Sequence, residues 1–214
     1  MRKGVYRSTK RPVRSGEGRV ILSSFRKDIA RFYLTRFSRD NKRPKTPFSV
    51  GKSIEKSSGI LICMPDDINQ FRVARYVFKK IFESPVSSRV TIILTEETNR
   101  AFKIETNARE IVIKNSDISF WQLPKSNWIS DKGLITYDLT VDLNTDFCLY
   151  AAYICRAVGH KLLIGFAWEG AELFYNILLK RTGIHSNLEK AFRTIRNEFT
   201  NLIPLERDRK NYDR

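Results

Sequence analysis

The spacing of apolar and polar positions predicts an alternation of strands and helices from residue 59 onward. Short runs that are apolar throughout are typical of strands covered on both faces of a sheet. Segments with apolar residues at helical spacing separate several of these runs. The predicted strands are residues 59–64, 90–94, 111–113, 137–143 and 162–166. The pattern therefore predicts five strands and their helices in an α/β arrangement.

One stretch, residues 141–176, predicts how the strands run. A strand ends at Asn144-Thr145-Asp146, residue types that favour helix N-caps. Apolar residues then recur at helical spacing as far as Gly159, which is expected to end the helix. Another strand follows, and a second helix is predicted from Ala171 to Lys180. A strand, a helix and a strand at this spacing imply a right-handed crossover between parallel strands.

These elements predict an α/β fold with a single Rossmann-like, doubly wound, mostly parallel sheet and a basic N-terminal helical extension. Residues 1–57 are predicted to hold a basic tail, an amphipathic helix over 19–37 and a linker. Residues 58–204 form the predicted Rossmann-like domain, which ends with an amphipathic helix. Residues 205–214 are a charged tail.

The positive charge is concentrated in the extension. The chain has a formal net charge of +16, and residues 1–50 contain 15 Lys/Arg but only 3 Asp/Glu. Such a segment favours phosphate-bearing partners, either nucleic acid or an anionic membrane surface. The predicted membrane or phosphate contacts are Arg26, Lys27, Arg31 and Arg36. For helix 19–37, docking of its aromatic face onto the domain is the simpler interpretation, contact with an anionic membrane is the second, and contact with nucleic acid or a partner protein is the third.

The chain is expected to be cytoplasmic, and peripheral on the inner face of the membrane if the basic helix binds lipid. No apolar run in the sequence approaches the roughly 20 residues that cross a bilayer. An apolar secretory signal is also missing from the basic N-terminal segment. Cys63, Cys148 and Cys155 lie in apolar patterns without paired spacing, so buried thiols in a reducing compartment are predicted.

Candidate site residues follow from the position of ligands in open α/β sheets, which bind beyond the carboxyl ends of the strands. The residues after the predicted strands are Pro65, Asp66, Asp67, Thr95, Glu96, Asn144, Asp146, Trp168 and Glu169. A simpler interpretation applies to the aspartates, because a carboxylate that caps a helix binds its first amides and needs no catalytic role.

Several kinds of site are disfavoured by missing motifs. No glycine fingerprint of dinucleotide binding follows the first strand, and no phosphate-binding loop with a G-K-[ST] ending occurs. There is no G-x-S-x-G nucleophile motif. His160 and His185 have no cysteine or carboxylate neighbours at metal-ligand spacing. Neither a metal nor a cofactor is therefore expected.

Four short segments carry a resemblance to a known family. They are D-L-T-V-D-L-N at 138–144, A-V-G at 157–159, K-L-L-I-G-F at 161–166 and F-Y-N at 174–176. In this order and spacing, they resemble the N-terminal domain of the ADP-heptose:lipopolysaccharide heptosyltransferase-type glycosyltransferases of family 9. The resemblance covers about residues 58–180, the first of two Rossmann-like domains in a GT-B fold.

The resemblance implies an acceptor-side domain of cell-envelope glycan synthesis. Where the family has a Gly-Asp pair after the first strand, this chain has Asp66-Asp67, and Asp67 matches the base toward the acceptor hydroxyl. Asp66, Asn144, Asp146, Trp168 and Glu169 would then bind a lipid-linked or lipopolysaccharide-type acceptor. Since the family binds its sugar donor mainly in the second domain, a separate donor-binding chain is an expected partner. The chain would be glycosyltransferase-like and non-catalytic alone.

A different class of function fits the charge distribution. The chain could be a non-catalytic Rossmann-like binding module whose basic arm contacts nucleic acid. Such binding would depend on salt and would be indifferent to base sequence. No recognisable nucleic-acid-binding signature occurs in the folded part of the sequence.

Overall fold

A computed structural model describes residues 59–180 and 188–202 of the 214-residue chain. Six strands form one sheet, and each pair of neighbouring strands is parallel. The strands are β1 Ile60–Cys63, β2 Val90–Thr95, β3 Arg109–Ile113, β4 Thr136–Asp142, β5 Gly159–Phe166 and β6 Ile177–Leu179. The α-helices of the described residues are α1 Ile68–Phe82, α2 Glu96–Ala101, α3 Trp128–Asp131, α4 Leu149–Ala157 and α5 Leu188–Leu202.

The strand order is β3-β2-β1-β4-β5-β6, the order of the Rossmann fold. The chain builds the sheet outward from β1 in one direction and then from β4 in the other. The sheet therefore has its switch point between β1 and β4, where Cys63 pairs with Asp142. The predicted Rossmann-like, doubly wound parallel sheet is confirmed.

Both faces of the sheet are covered, which explains why β1 is apolar at all four of its positions. On β1, Ile60 and Ile62 pack into a cluster with α1 and α5, and Leu61 and Cys63 pack into a second cluster with α4. All four side chains are fully buried. A strand between two helical layers buries nearly every position, so a polar side chain there, such as Thr140 or Asp142 of β4, lies in the interior.

Helix α1 forms as its sequence predicts. The side chain of Asp67 caps it, and its apolar residues recur at helical spacing and are buried against the sheet. Lys79 and Lys80 lie in the last turn, where positive charge interacts favourably with the helix dipole. The predicted helix at the end of the domain is also present, as α5.

The predicted helix from Ala171 to Lys180 is wrong. A short 3₁₀ turn, Ala171–Leu173, is followed by the edge strand β6, so the sheet has six strands and not five. Asn176 explains the difference, because its backbone N–H donates to the Leu163 carbonyl and its Oδ1 accepts from the Leu163 N–H. These long-range bonds draw the segment into the sheet.

Other local predictions also differ from the structure. Helix α4 begins at Leu149 after Cys148, so Asn144 and Asp146 do not cap it. The helix ends at Ala157, and Gly159 belongs to β5. Residues 116–132, for which no helix is predicted, contain α3. Residues 1–57 and 205–214, with the predicted basic helix, linker and tails, lie outside the described residues.

Candidate functional site

A cleft of about 750 Å³ lies at the carboxyl ends of β1, β2 and β3. This is the edge of the sheet at which Rossmann-like domains bind their ligands. Its walls come from the segments after these three strands and from the start of α4. The lining residues are Asp66, Ile68, Thr95, Glu96, Glu97, Arg100, Ala101, Ile113, Lys114, Asn115, Ile118, Gln122 and Tyr150.

The cleft contains charges of both signs. Arg100 and Lys114 supply positive charge, and Asp66, Glu96 and Glu97 supply negative charge. Arg100 forms an ion pair with Glu96 one turn away on α2. Such a lining suits a polar ligand that can form hydrogen bonds with both carboxylates and cations.

The start of α2 is fixed by a capping box. The Oγ1 of Thr95 accepts from the Thr98 N–H, and the Oγ1 of Thr98 accepts from the Thr95 N–H, both at 3.2 Å. Glu96 and Glu97 follow in the first turn, where negative charge is favoured. The strand-to-helix turn thus holds these carboxylates at the cleft in a defined position.

At the switch point, one hydrogen bond joins the two neighbouring loops. The Asp66 N–H donates to Oδ1 of Asn144 at 2.9 Å. Asn144 is buried, although it follows the end of β4. The position of Asp66 in the cleft therefore depends on the loop after β4.

Asp142 is the buried centre of this loop. One carboxylate oxygen, Oδ1, accepts from the Asn144 N–H at 2.9 Å and from its side-chain amide at 2.7 Å. The other oxygen accepts from the Tyr175 hydroxyl at 2.6 Å. Burial raises the pKa of Asp142, while these three hydrogen bonds oppose the increase.

Tyr175 reaches Asp142 because a glycine leaves room for its ring. The ring lies against Gly165 of β5, where a Cβ would come within 2.7 Å of two ring carbons. Asn176, the next residue, is bound to the Leu163 backbone. The motif segments 138–144, 161–166 and 174–176 therefore form one connected arrangement around Asp142.

Tyr150 and Cys148, near Asp66 and the start of α4, carry neutral side chains. Burial, followed by the nearby Cys148 and Asp66, raises the pKa of Tyr150 well above its usual range. Burial also raises the pKa of Cys148, and Asp142 adds to the increase. At neutral pH, both groups hold their protons, so Tyr150 offers the cleft a hydroxyl and not a phenolate.

The adjacent aspartates after β1 have different positions. Asp67 caps α1, since its Oδ1 accepts from the backbone N–H groups of Asn69 and Gln70 at 3.0 and 2.9 Å. Asp66 lines the cleft, whereas Asp67 is exposed outside that lining. The capping interpretation is thus correct for Asp67.

The cap predicts the effect of a mutation. Asp67→Ala should lower the free energy of unfolding by about 1 kcal/mol, because two amides at the start of α1 lose their acceptor. Asp67→Ser, which keeps a capping oxygen, should lose about half as much or less. Urea denaturation of both variants measures the difference. Equal losses in the two variants would contradict a capping role.

The other predicted site residues surround the ends of β4 and β5 and do not line the cleft. Asn144 binds Asp66 and Asp142 and is buried. Asp146 is exposed and accepts from the Thr145 hydroxyl at 3.3 Å. Trp168 packs in an aromatic cluster with Phe147, Phe174 and Tyr175. Glu169 is exposed beside it.

Arg26, Lys27, Arg31 and Arg36, the predicted membrane or phosphate contacts, lie outside the described residues. No helix in ranges 59–180 and 188–202 has both the length and the apolar character to cross a membrane. In the same ranges, no group of three or more His, Cys, Asp or Glu side chains is placed to hold a metal ion.

Sequence reasoning missed several residues of the site. Arg100, Lys114 and Tyr150 line the cleft. Asp142 does not line it but holds Asn144, which binds the Asp66 N–H. Lys114 directly follows β3, so the rule about strand ends could have identified it. The signal available for Asp142 was a carboxylate at the last position of a buried strand, because such a charge needs buried partners.

Comparison with protein-family models, with curated proteins and with solved structures found no match to this chain.

Proposed function

We propose that this domain binds the saccharide acceptor of a heptosyltransferase-like glycosyltransferase in the cleft at the ends of β1, β2 and β3. The acceptor class is a phosphorylated, lipid-linked or lipopolysaccharide-type sugar. Because the donor of such enzymes binds mainly in a second Rossmann-like domain, transfer requires that a donor-binding domain meets this cleft. The domain described here supplies the acceptor side.

One observation carries the proposal. The short segments that resemble the family converge in space. Asp142 accepts hydrogen bonds from Asn144 and from the Tyr175 hydroxyl. The Tyr175 ring in turn packs against Gly165. Their last contact, from Asn144 to the Asp66 N–H, reaches the cleft. Motif residues that jointly fix a cleft residue support a role for the motifs in forming the binding site.

The chemistry of the lining supports a phosphorylated sugar. Arg100 and Lys114 can bind phosphate oxygens through charge-assisted hydrogen bonds. The carboxylates of Asp66 and Glu97 can accept from sugar hydroxyls. Within the proposal, Asp66 contacts the acceptor hydroxyl and Asp67 holds α1, since only Asp66 of the pair lines the cleft.

A binding experiment tests the proposal. Isothermal titration of the full chain with a delipidated, phosphorylated inner-core oligosaccharide should give binding. Arg100→Gln should weaken it by about tenfold, as expected for one charge-assisted hydrogen bond. Lys79→Gln is the matched control, because Lys79 is an exposed cation at the far end of α1 that pairs with Glu83. This control should leave the affinity unchanged.

Two outcomes would contradict the proposal. One is no binding of the oligosaccharide, and the other is an equal loss in Arg100→Gln and Lys79→Gln. Salt-sensitive binding of RNA that is unaffected by Arg100→Gln would favour the alternative, a binding module with a nucleic-acid-binding arm.

A further inference from the structure

An exposed aromatic pair lies at the tip of the loop after β3. We call residues 117–125 the aromatic hairpin. Phe120 and Trp121 are 69% and 49% exposed. Their rings pack edge to face, with centroids 5.5 Å apart. Turn tips normally carry Gly, Asn, Asp or Ser, so two large aromatic side chains there need a reason.

The aromatic hairpin is held by backbone hydrogen bonds along its length. The Ser119 N–H donates to the Leu123 carbonyl at 2.7 Å, and the Gln122 N–H donates back to Ser119 at 2.9 Å. At the base, the Lys125 N–H donates to the Asp117 carbonyl at 2.9 Å. These bonds fix the direction in which the tip points.

Gln122 shows that the turn is under a specific constraint. Its φ of 61° is left-handed, and it is the non-glycine residue of the described chain with positive φ. A side chain with a Cβ adopts this region at a cost. The turn that displays the aromatic pair is therefore maintained against a local preference.

The hairpin stands at the rim of the cleft. Ile118 and Gln122, which flank the tip, both line the cleft, whereas Phe120 and Trp121 do not. A pair outside the lining is poorly placed to stack on a ligand bound inside.

Cationic side chains surround the base of the hairpin. Lys114 and Lys125 are exposed at its two ends, and Lys132 directly follows the nearby helix α3. Asp117 and Asp131 are the acidic residues of the same segment. Asp117 is engaged by the Lys114 N–H at 3.0 Å. The chain as a whole carries a formal net charge of +16.

We propose that the aromatic hairpin inserts Phe120 and Trp121 into the interface of an anionic bilayer. Aromatic residues favour this zone, and a basic protein is attracted to anionic headgroups. Stable peripheral binding takes two signals, an apolar one and an electrostatic one. The hairpin supplies the first, and the lysines at its base, together with the basic residues 1–50, supply the second.

The inference deepens the proposed function in one respect. Insertion of the tip would place the adjacent cleft at headgroup depth, where the saccharide of a lipid-anchored acceptor lies. Membrane contact by the hairpin does not itself require an acceptor. It can therefore be tested on vesicles without glycolipid, separately from binding in the cleft.

Sedimentation of the full chain with vesicles is the first test. Vesicles of equal phosphatidylcholine and phosphatidylglycerol should bind the protein, and pure phosphatidylcholine vesicles should bind it weakly. Phe120→Ser/Trp121→Ser should reduce the partition coefficient at least about tenfold. Ile135→Ser is the control. Ile135 is 78% exposed, but it directly precedes β4 and so lies at the amino ends of the strands, whereas the hairpin lies at their carboxyl ends. This variant should bind like the wild type.

Fluorescence quenching by brominated lipid is the second test, and it distinguishes the hairpin from binding through residues 1–50 alone. Wild-type protein should be quenched, Trp121→Phe should lose most of the quenching, and Trp168→Phe should keep it. Absence of vesicle binding would overturn the proposal. So would quenching that survives Trp121→Phe, or a partition coefficient of the double variant equal to that of Ile135→Ser.

Loss of a concentration-dependent dimer in the double variant, without loss of vesicle binding, would identify a second copy as the occupant. Oligosaccharide binding should be unchanged by the double variant, so failure of either proposal is recognised separately.

Discussion

Replacement of Asp142 by alanine is expected to lower the free energy of unfolding by about 3–5 kcal/mol, because buried donors left without an acceptor each cost roughly 1–3 kcal/mol. The substitution removes the acceptor of the Asn144 N–H, of its side-chain amide and of the Tyr175 hydroxyl. Asp142 itself is 1% exposed, so water cannot replace these bonds without rearrangement. Urea denaturation measures the loss.

Two variants define what the result means. Asp142→Asn keeps an acceptor oxygen for Asn144 and offers a donor to the Tyr175 hydroxyl oxygen, so it should cost less than Asp142→Ala. Asp146→Ala removes an exposed carboxylate from the same loop and should change stability by no more than about 0.5 kcal/mol. A loss in Asp142→Ala no greater than that in Asp146→Ala would contradict the network.

The pH dependence of the same variants adds an independent signature. Since burial raises the folded-state pKa of Asp142 above its unfolded value, the folded state binds more protons between the two values. The wild type should therefore lose stability relative to Asp142→Asn as the pH rises from about 4 through the raised pKa. The difference should be constant at lower pH. Unfolding curves from pH 3 to 8 give the comparison.

Replacement of Asp142 should also change the position of Asp66 in the cleft. Without its acceptor, the Asn144 side chain is no longer held toward Asp66, and the Asp66 N–H loses its 2.9 Å partner. The β1 and β4 loops then become independent. Asp142 supports the site by positioning Asn144 and Asp66, and it need not touch the ligand itself.

Local pattern and residue type were sufficient for most elements of the fold. Strands between two helical layers are buried on both faces, and the mostly apolar runs at 59–64 and 90–94 show this directly in the sequence. Helix α1 combines an N-capping aspartate with helical apolar spacing, so two local signals agree. The parallel direction followed from the length of the crossover between β4 and β5.

The errors occurred where long-range contacts override the local pattern. The segment after Gly170 has helical spacing of its apolar residues, at Leu173, Phe174, Ile177 and Leu178. Hydrogen bonds between Asn176 and Leu163 nevertheless draw it into the sheet as the edge strand β6. Asn144 has the composition of an N-cap, but its side chain turns inward to Asp142. A sequence pattern contains no information about a hydrogen-bond partner that is far away in the chain.

The candidate site was partly predictable for the same reason. The strand-end rule correctly brought Asp66, Thr95 and Glu96 to one cleft. It could not assign roles to Asp66 and Asp67, because neighbouring aspartates differ only in which one meets the first amides of α1. That choice depends on the backbone path after β1, which the Asn144 contact helps to fix.

Substitution of Gly165 by alanine is expected to cost about 3 kcal/mol, at the upper end of the range for overpacking a buried site. A Cβ there would lie 2.7–2.8 Å from three carbons of the Tyr175 ring. The ring cannot move away freely, because its hydroxyl is bound to Asp142 and its backbone N–H to the Ala171 carbonyl. Thermal and urea denaturation should both show the loss.

Gly159→Ala is the matched control on the same strand. Its Cβ would lie 3.1 Å from the nearest atom, in the Thr136 side chain, so a shift of a few tenths of an ångström relieves the contact and the cost should be below about 1 kcal/mol. If both glycines gave the same loss, the effect would belong to β5 in general and not to the Tyr175 ring.

A double-mutant cycle with Tyr175→Leu makes the prediction sharper, because it reverses a sign. Glycine inside a strand is less favourable than alanine by roughly 0.5–1 kcal/mol when nothing clashes. Once the ring is absent, Gly165→Ala should therefore become neutral or stabilising. A cost that remains in the Tyr175→Leu background would show that Gly165 accommodates some group other than the ring. A cost that disappears would assign the glycine to one task, which is to let Tyr175 reach Asp142 and hold the switch-point loops together.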